Sequence, residues 1–188
     1  MNFIKTNIKQ FDENVGGLIP GKLNLICGAS KSGKTLLSSE IISNIDVDVE
    51  HYLLEEKEPK YVRMSKQNYE FACCERTRVA LDVADNQIMN GFSGLIVMDD
   101  IDWNLKEIKS PLLRMLKAIQ NKDVSLLMTF RQRNEEETCN PHSLFTMADL
   151  IVHTEIVGKN KESKMKIRSI KNRYKVAYDS FELDIPKV

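Results

Sequence analysis

The feature that most restricts the fold of this chain is the segment LNLICGASKSGKTLLSSEIISNI, in which a glycine-containing loop separates two apolar stretches. The first stretch, LNLIC, is short and apolar, as a buried strand is. The second carries apolar residues at helical spacing, namely Leu36, Leu37, Ile41, Ile42 and Ile45. Between them, Gly28, Gly33, Lys34 and Thr35 satisfy the pattern G-x-x-x-x-G-K-[ST]. A strand before this pattern and a helix after it predict a phosphate-binding loop.

The chemistry of phosphate binding explains these residue types. Glycines let backbone N–H groups curl around a phosphate without a Cβ clash, and the helix N-terminus adds the positive end of its dipole. Lys34 is expected to reach the β- and γ-phosphates, and the Thr35 hydroxyl to bind Mg²⁺. We therefore expect ATP and Mg²⁺ as cofactors. The predicted nucleotide-binding residues of the loop are Gly28, Ala29, Ser30, Lys31, Ser32, Gly33, Lys34 and Thr35.

Carboxylates follow two further apolar runs. GLIVMDD is typical of a central parallel strand, and Asp99 at its end is predicted to hold Mg²⁺ beside the nucleotide, directly or through water, with Asp100 and Asp102 as alternatives. VEHYLLEE predicts a second strand that ends at Glu55 and Glu56. Because the C-terminal ends of parallel strands face the ligand crevice, this pair could supply the general base that activates water. The alternative is a pair of exposed charges.

The remaining segments complete an alternating pattern of strands and helices. Residues 58–90 are predicted to be mostly helical, with ERTRVALDVADNQIMN the clearest helix and EPKYVRMSKQNYEF ambiguous. SPLLRMLKAIQNK predicts an amphipathic helix that begins at Ser110 and Pro111, a good N-cap and N1 pair. Its apolar face is predicted to comprise Leu112, Leu113, Leu116 and Ile119.

VSLLMTF predicts another buried strand, and residues 131–143 a polar loop. ADLIVHTEIV, KMKIRSIKNR and AYDSFELDI predict three last strands. The whole pattern indicates an α/β fold with a mainly parallel central sheet flanked by helices and extended by antiparallel C-terminal strands.

Length and composition agree with one domain over residues 1–188. Lys plus Arg and Asp plus Glu number 27 each, so bulk charge gives no support for nucleic-acid binding, although a local basic patch stays open. No apolar run approaches the ~18 residues of a membrane helix, and the N-terminus carries no signal-peptide pattern. We therefore expect a cytoplasmic protein. The small Lys-, Asn- and Ile-rich chain favours a phage or mobile-element origin.

The ordered motifs resemble a known family. IKQFDENVGGLIPGKLNLICGASKSGKT resembles the opening of the RecA-like P-loop ATPases of the DnaB-helicase, RadA and KaiC group. Asp12, Gly16, Gly17, Leu18 and Gly21 stand where that group has an "LD" and a "GG-L-x-x-G" turn. LIVMDDID is similar to the group's Walker-B strand. YLLEEKEPKYVRM resembles the strand that ends in a catalytic glutamate, with Glu55 at the DnaB-like position and the Glu55–Glu56 pair similar to the KaiC branch.

The C-terminal strands extend this resemblance. KMKIRSIKNRYKVAYDSFELDI is similar to the end of a DnaB-type motor, in which a strand carrying KNR projects a Lys and an Arg into the neighbouring subunit's ATP. The resemblance implies that Lys171 and Arg173 act catalytically in trans, and therefore that the chain forms a homo-oligomeric ring or filament. Taken alone, the segment from Val157 to Lys175, with eight basic residues and one acidic residue, is more typical of a solvated basic hairpin.

The resemblance implies a DNA-dependent ATPase, a helicase-like or recombinase-like motor in replication or recombination with single-stranded DNA as its partner. Arg131 and Arg133 would contact DNA phosphates and Trp103 would stack on bases, or else the arginines are solvated and Trp103 is a half-buried anchor. The polar sensor of the family, usually Gln or His, falls near Thr129 and Phe130, with Gln132 displaced.

Two other functions stay open, and the Glu55–Glu56 pair and the net charge of zero favour the first of them. One is a KaiC-like regulatory ATPase, and the other is an accessory partner of a related ATPase without motor activity.

Overall fold

A computed structural model describes residues 2–54, 68–101, 105–120, 122–132, 144–158, 163–175 and 180–184, with the side chains of 105 and 106 left aside. Within these ranges, the helices are α1 (Lys9–Asn14), α2 (Lys34–Asn44), α3 (Thr77–Met89), α4 (Leu105–Ile119) and α5 (Leu144–Met147). The strands are β1 (Leu23–Gly28), β2 (Val49–Leu53), β3 (Tyr69–Cys73), β4 (Gly94–Ile101), β5 (Val124–Arg131), β6 (Leu150–Val157), β7 (Lys164–Asn172) and β8 (Phe181–Asp184). No helix in the described part of the chain is long and apolar enough to cross a membrane.

All of these strands join one sheet, in the order β3-β2-β4-β5-β1-β6-β7-β8. The strands from β3 to β6 in this order pair in parallel, and β7 and β8 extend the sheet in antiparallel pairs. The predicted fold class is therefore confirmed, including the antiparallel C-terminal strands.

Two apolar layers cover the sheet, which explains why the central strands are apolar along their whole length. On β4, Leu95 and Val97 pack in the layer that contains α2, whereas Ile96 and Met98 pack in the layer that contains α3 and α4. This alternation fixes the face on which the polar side chains at the strand ends lie.

Strand β3 corrects the prediction that residues 58–90 are mostly helical. Tyr69–Cys73 pairs in parallel with β2 at the edge of the sheet, and α3 begins only at Thr77. Tyr69 and Phe71 stack on each other at 6.3 Å between ring centroids, as residues two apart on a strand can. This alternation of aromatic side chains is a strand signal that the helical prediction overlooked.

Helix α4 corrects a second prediction, because it begins at Leu105 and contains Pro111 in its interior. The helix extends towards its N-terminus because Ile108 is buried in the same layer as Leu112 and Met115. An internal proline costs about 3 kcal/mol, and the burial of an isoleucine offsets much of that cost. The predicted apolar face is also partly wrong, because Met115 is buried and Leu113 is 40% exposed.

The N-terminal segment is fastened beside the sheet by the predicted aspartate and glycine turn. Asp12 Oδ1 accepts hydrogen bonds from the Thr6 amide at 3.0 Å and the Thr6 hydroxyl at 2.9 Å. Ile4 and Leu18 form an antiparallel bridge over Gly17, where any Cβ would collide with the Ile4 carbonyl oxygen. These contacts give the motif that precedes the phosphate-binding loop a structural role.

Candidate phosphate-binding site

The loop between β1 and α2 is pressed against β6. Gly28 has a φ of +156°, and a Cβ there would lie 2.6 Å from the Thr154 carbonyl oxygen and closer still to Ser32 Oγ. The hydroxyl oxygens of Ser32 and Thr154 lie within hydrogen-bond distance, at 3.1 Å. The loop follows this tight path only because residue 28 lacks a side chain.

Gly33 serves as the N-cap of α2 with a left-handed φ of +92° and no side-chain cap. A Cβ at this position would lie 3.1 Å from Ile156 Cδ1 and 3.1 Å from Met165 Cε. The first turn of α2 therefore presents backbone N–H groups that no capping side chain covers, at the positive end of the helix dipole. In the same loop, Ala29, Ser30 and Lys31 are exposed and Thr35 is half-buried.

The Lys34 side chain lies under the loop and is only 7% exposed. Its Nζ donates a hydrogen bond to the Ala29 carbonyl oxygen at 2.8 Å. Burial lowers the pKa of Lys34 from its ordinary value, the Asp100 carboxylate opposes this shift, Arg131 adds to it, and Asp99 opposes it more weakly. The ammonium thus lies in a desolvated position close to both acidic and basic groups, where an oligophosphate would be a strong partner.

Asp99 lies at the same edge of the sheet and is 5% exposed. It pairs with Leu53 on β2, and its Oδ1 accepts a short hydrogen bond from the Thr129 hydroxyl on β5. Thr129 Oγ1 in turn accepts a hydrogen bond from the Asp100 amide at 2.7 Å. Thr129 therefore orients Asp99, a contact that the sequence did not predict, although a polar residue inside the apolar run VSLLMTF was a signal for it.

Arg131 corrects the prediction that residues 131–143 form a polar loop from their first residue. It is the last residue of β5, pairs in register with Gly28 and forms an ion pair with Asp100, with 3.0 Å between Nη2 and Oδ2. The amide of Gln132 donates to the Gly28 carbonyl oxygen at 3.0 Å. The end of β5 is therefore joined to the phosphate loop, and Arg131 lies there at the end of a strand instead of in a loop.

Lys171 and Arg173 lie away from the loop of their own chain. Lys171 Nζ donates to the carbonyl oxygens of Phe145 at 3.0 Å and Thr146 at 3.4 Å. Burial lowers the pKa of Lys171, the nearby Arg173 lowers it further and Asp149 raises it. Arg173 follows β7, and its Nη1 lies 3.3 Å from Asp149 Oδ1.

The strand register shows this separation. Cys27, next to the phosphate loop, pairs with His153 on β6, which pairs with Arg168 on β7. Lys171 pairs with Ile151, two residues earlier along β6. Lys171 and Arg173 therefore lie nearer the opposite ends of the strands, away from the loop.

The structure thus brings together residues 28–35 and Asp99, and it keeps Lys171 and Arg173 apart from them. Five other predicted residues lie outside the described part of the chain, namely Glu55, Glu56, Asp102, Trp103 and Arg133. Strand β2 ends at Leu53, which pairs with Asp99. Its C-terminal end therefore lies on the side of the sheet where the parallel strands end and the phosphate loop begins.

Comparison with known proteins gives a distant relationship. No family model matches the chain. Protein RecA from Aquifex aeolicus (strain VF5) is 24% identical over an alignment of 214 residues that covers 91% of this chain and 61% of the relative. Protein RecA from Aquifex pyrophilus is 24% identical over the same length, with 91% and 60% covered. The chain spans about three fifths of the length of the curated relatives it matches.

Together with the sheet order and the loop, this similarity supports a RecA-like α/β fold. The resemblance to RecA-like P-loop ATPases is supported in this coarse form, and the finer assignment to the DnaB, RadA and KaiC group receives no support from these relatives. They also lend none to a phage or mobile-element origin.

Proposed function

We propose that this chain is a RecA-like ATPase that binds Mg-ATP in the loop of residues 28–35, hydrolyses it and acts on DNA. The observation that carries the proposal is the buried ammonium of Lys34 at the start of α2. It donates a hydrogen bond to the carbonyl oxygen of Ala29 in the loop and lies close to the carboxylates of Asp99 and Asp100. The similarity to RecA over 91% of the chain supports the same activity. A helicase-like or recombinase-like role in replication or recombination is the finer form of the proposal.

The residues of the site have separate tasks in this proposal. The N–H groups of the first turn of α2 bind the β-phosphate, and Lys34 exchanges the Ala29 carbonyl for phosphate oxygens. The Thr35 hydroxyl and the Asp99 carboxylate are hard oxygen donors of the kind that Mg²⁺ prefers, so the donor set fits this ion. When bound, Mg²⁺ neutralises charge that develops on the phosphates. Thr129 holds the Asp99 carboxylate in position through its hydroxyl.

The most direct experiment measures ATP turnover with and without single-stranded DNA at several protein concentrations. We expect Mg²⁺-dependent turnover that single-stranded DNA stimulates. We also expect turnover per subunit to rise with protein concentration, because the proposed trans contact needs two subunits. A chain that hydrolyses no ATP at any concentration, with or without DNA, would contradict the proposed activity.

Glu55 is proposed as the general base that orients the attacking water. Glu55→Gln should keep the affinity for ATP and slow hydrolysis at least ~100-fold, the usual scale for the loss of a positioned base. Single-turnover hydrolysis and nucleotide titration measure the two effects separately. Glu56→Gln is the matched control: a larger loss in that variant would move the base by one residue, and unchanged hydrolysis in both variants would show that the pair is surface charge.

A regulatory ATPase is the second candidate, and one side chain favours it. Phe130 occupies the region where the family has a polar sensor, and its buried ring packs edge-to-face on Phe145 at 5.9 Å between centroids. The phenyl ring of Phe130 cannot donate a hydrogen bond to a phosphate, so this position would not link ATP hydrolysis to DNA in the way that the family's polar sensor does. The net charge of zero agrees with this candidate. ATP hydrolysis that single-stranded DNA leaves unchanged would favour it over the motor.

A further inference from the structure

Arg131 is a cation beside the phosphate loop, and the proposed ATPase mechanism gives it no task. Its backbone pairs with Gly28, the first residue of the loop, and the next amide along the chain donates to the Gly28 carbonyl oxygen. Its guanidinium lies 3.0 Å from Asp100 Oδ2 and its side chain is about half exposed. A nucleotide in the loop would therefore lie next to a guanidinium that already has solvent access.

Strand alternation places the Arg131 side chain on the face of the sheet that carries α2. Leu127, four residues earlier on β5, packs in the α2 layer, and Met128 packs in the opposite layer. Side chains two apart on a strand share a face, so Thr129 and Arg131 lie on the side of Leu127. Lys34 belongs to α2 on that same side.

Asp100, the ion-pair partner of Arg131, is held in an unusual backbone conformation. Asp100 has a φ of +54°, in the left-handed region that residues other than glycine rarely adopt. The Asp100 amide is fastened to the Thr129 hydroxyl, which also donates to Asp99. The turn of the chain at Asp100 therefore directs one carboxylate, that of Asp99, to the proposed metal position and presents the next one to Arg131.

We propose that Arg131 is a contact for the terminal phosphate of a bound nucleoside triphosphate, and that Asp100 holds this guanidinium in place while no such phosphate is present. The inference rests on the proposed function, because it requires a nucleotide in the loop of residues 28–35. It adds a means of telling a triphosphate from a diphosphate.

The position of the ion pair explains why it distinguishes these two ligands. The loop amides bind the β-phosphate, which ADP and ATP share. Arg131 and Asp100 lie instead beside Asp99, the carboxylate that would hold Mg²⁺, so a phosphate beyond the β-phosphate would be the one to reach Arg131. A terminal phosphate carries more negative charge than one carboxylate and, like a carboxylate, can accept two hydrogen bonds from a guanidinium. The triphosphate therefore competes with Asp100 for Arg131, and the diphosphate does not.

The test compares equilibrium affinities for Mg-ATPγS and Mg-ADP in the full chain, by calorimetry or with a fluorescent competitor. We expect Arg131→Ala to weaken ATPγS binding at least about tenfold, the scale of one lost charge-assisted hydrogen bond, and to change ADP affinity less than about twofold. Asp100→Asn removes the competing carboxylate and should strengthen ATPγS binding. Arg114→Ala is the matched control, because Arg114 is an exposed, ion-paired arginine on α4 whose partners are Asp82 and Asp85.

The outcomes separate this inference from the proposed function. Equal losses of ATPγS and ADP affinity in Arg131→Ala, or no loss of either, would overturn the role of Arg131 and leave the ATPase proposal standing. Weaker ATPγS binding in Asp100→Asn would also overturn it, because Asp100 would then serve the nucleotide directly. A wild-type chain that binds neither nucleotide would overturn both proposals. Arg131→Lys, which keeps the charge and loses the paired donors, replaces Arg131→Ala if thermal melting shows that the alanine variant is unfolded, and should reduce ATPγS affinity in the same direction.

Discussion

Lys34→Ala should abolish Mg-ATP binding and ATP turnover and leave the fold intact. The loss is expected because Lys34 is the buried cation of the loop and is proposed to meet phosphate charge that the backbone amides cannot balance alone. The fold should persist because the only protein group described as accepting its ammonium is the carbonyl oxygen of Ala29, an exposed residue that water can reach. We expect the free energy of unfolding to change by no more than about 2 kcal/mol.

Nucleotide titration and steady-state turnover measure the loss, and a denaturant melt measures the fold. Lys34→Met is the matched variant, because methionine keeps most of the aliphatic stem and removes the charge, so it should lose ATP binding as alanine does. Lys109→Ala, which removes an exposed lysine on α4, should bind ATP as the wild type does. Normal hydrolysis by either Lys34 variant would disprove the phosphate-binding assignment.

Arg173→Ala has the second largest expected effect, a loss of turnover of about 10³-fold, because an arginine that stabilises the transferring phosphate in trans contributes on this scale. Nucleotide binding to an isolated subunit should stay unchanged. Arg173 and Lys171 lie near the ends of the strands that are farthest from the loop of their own chain. The Arg173 side chain is about half exposed and Asp149 is largely buried, so solvent screens their ion pair in part and we expect its loss to destabilise the fold only modestly. The variant should therefore fold, bind ATP and hydrolyse it about 10³-fold more slowly.

Mixing tests the trans role. A Lys34→Ala subunit still carries Arg173, and an Arg173→Ala subunit still carries Lys34, so a mixture of the two should form some complete interfaces and regain part of the activity. Arg114→Ala serves as the control for the loss of a surface arginine. No recovery in a mixture shown to co-assemble, or full activity in a strictly monomeric protein, would reject the role of Arg173.

Sequence reasoning succeeded where the physical signal is local. The strand–loop–helix around Gly28 and Lys34 and the apolar run that ends at Asp99 follow from spacing and burial pattern, and the structure has both. It failed where a tertiary contact decides the outcome. Helix α4 extends through Pro111 because Ile108 is buried in the core. Rules for helix N-termini consider only local sequence and do not include such a tertiary contact.

The site divides in the same way. The loop residues form a contiguous motif, so their arrangement could be predicted. The bond of Thr129 to Asp99 and the ion pair of Arg131 with Asp100 join residues about thirty positions apart on neighbouring strands. Their meeting depends on the register of β4 against β5 and on a bulge near Asp100, which composition and periodicity do not determine.

The central claim is that residues 28–35 form a Mg-ATP site, and a crystal structure with Mg²⁺ and a non-hydrolysable ATP analogue tests it most directly. We expect the β-phosphate at the N–H groups around Gly33, with Lys34 Nζ moved from the Ala29 carbonyl to phosphate oxygens. We also expect a metal ion between the Thr35 hydroxyl and Asp99. A nucleotide bound elsewhere, or a loop that stays empty at saturating analogue with Lys34 still on Ala29, would contradict this claim.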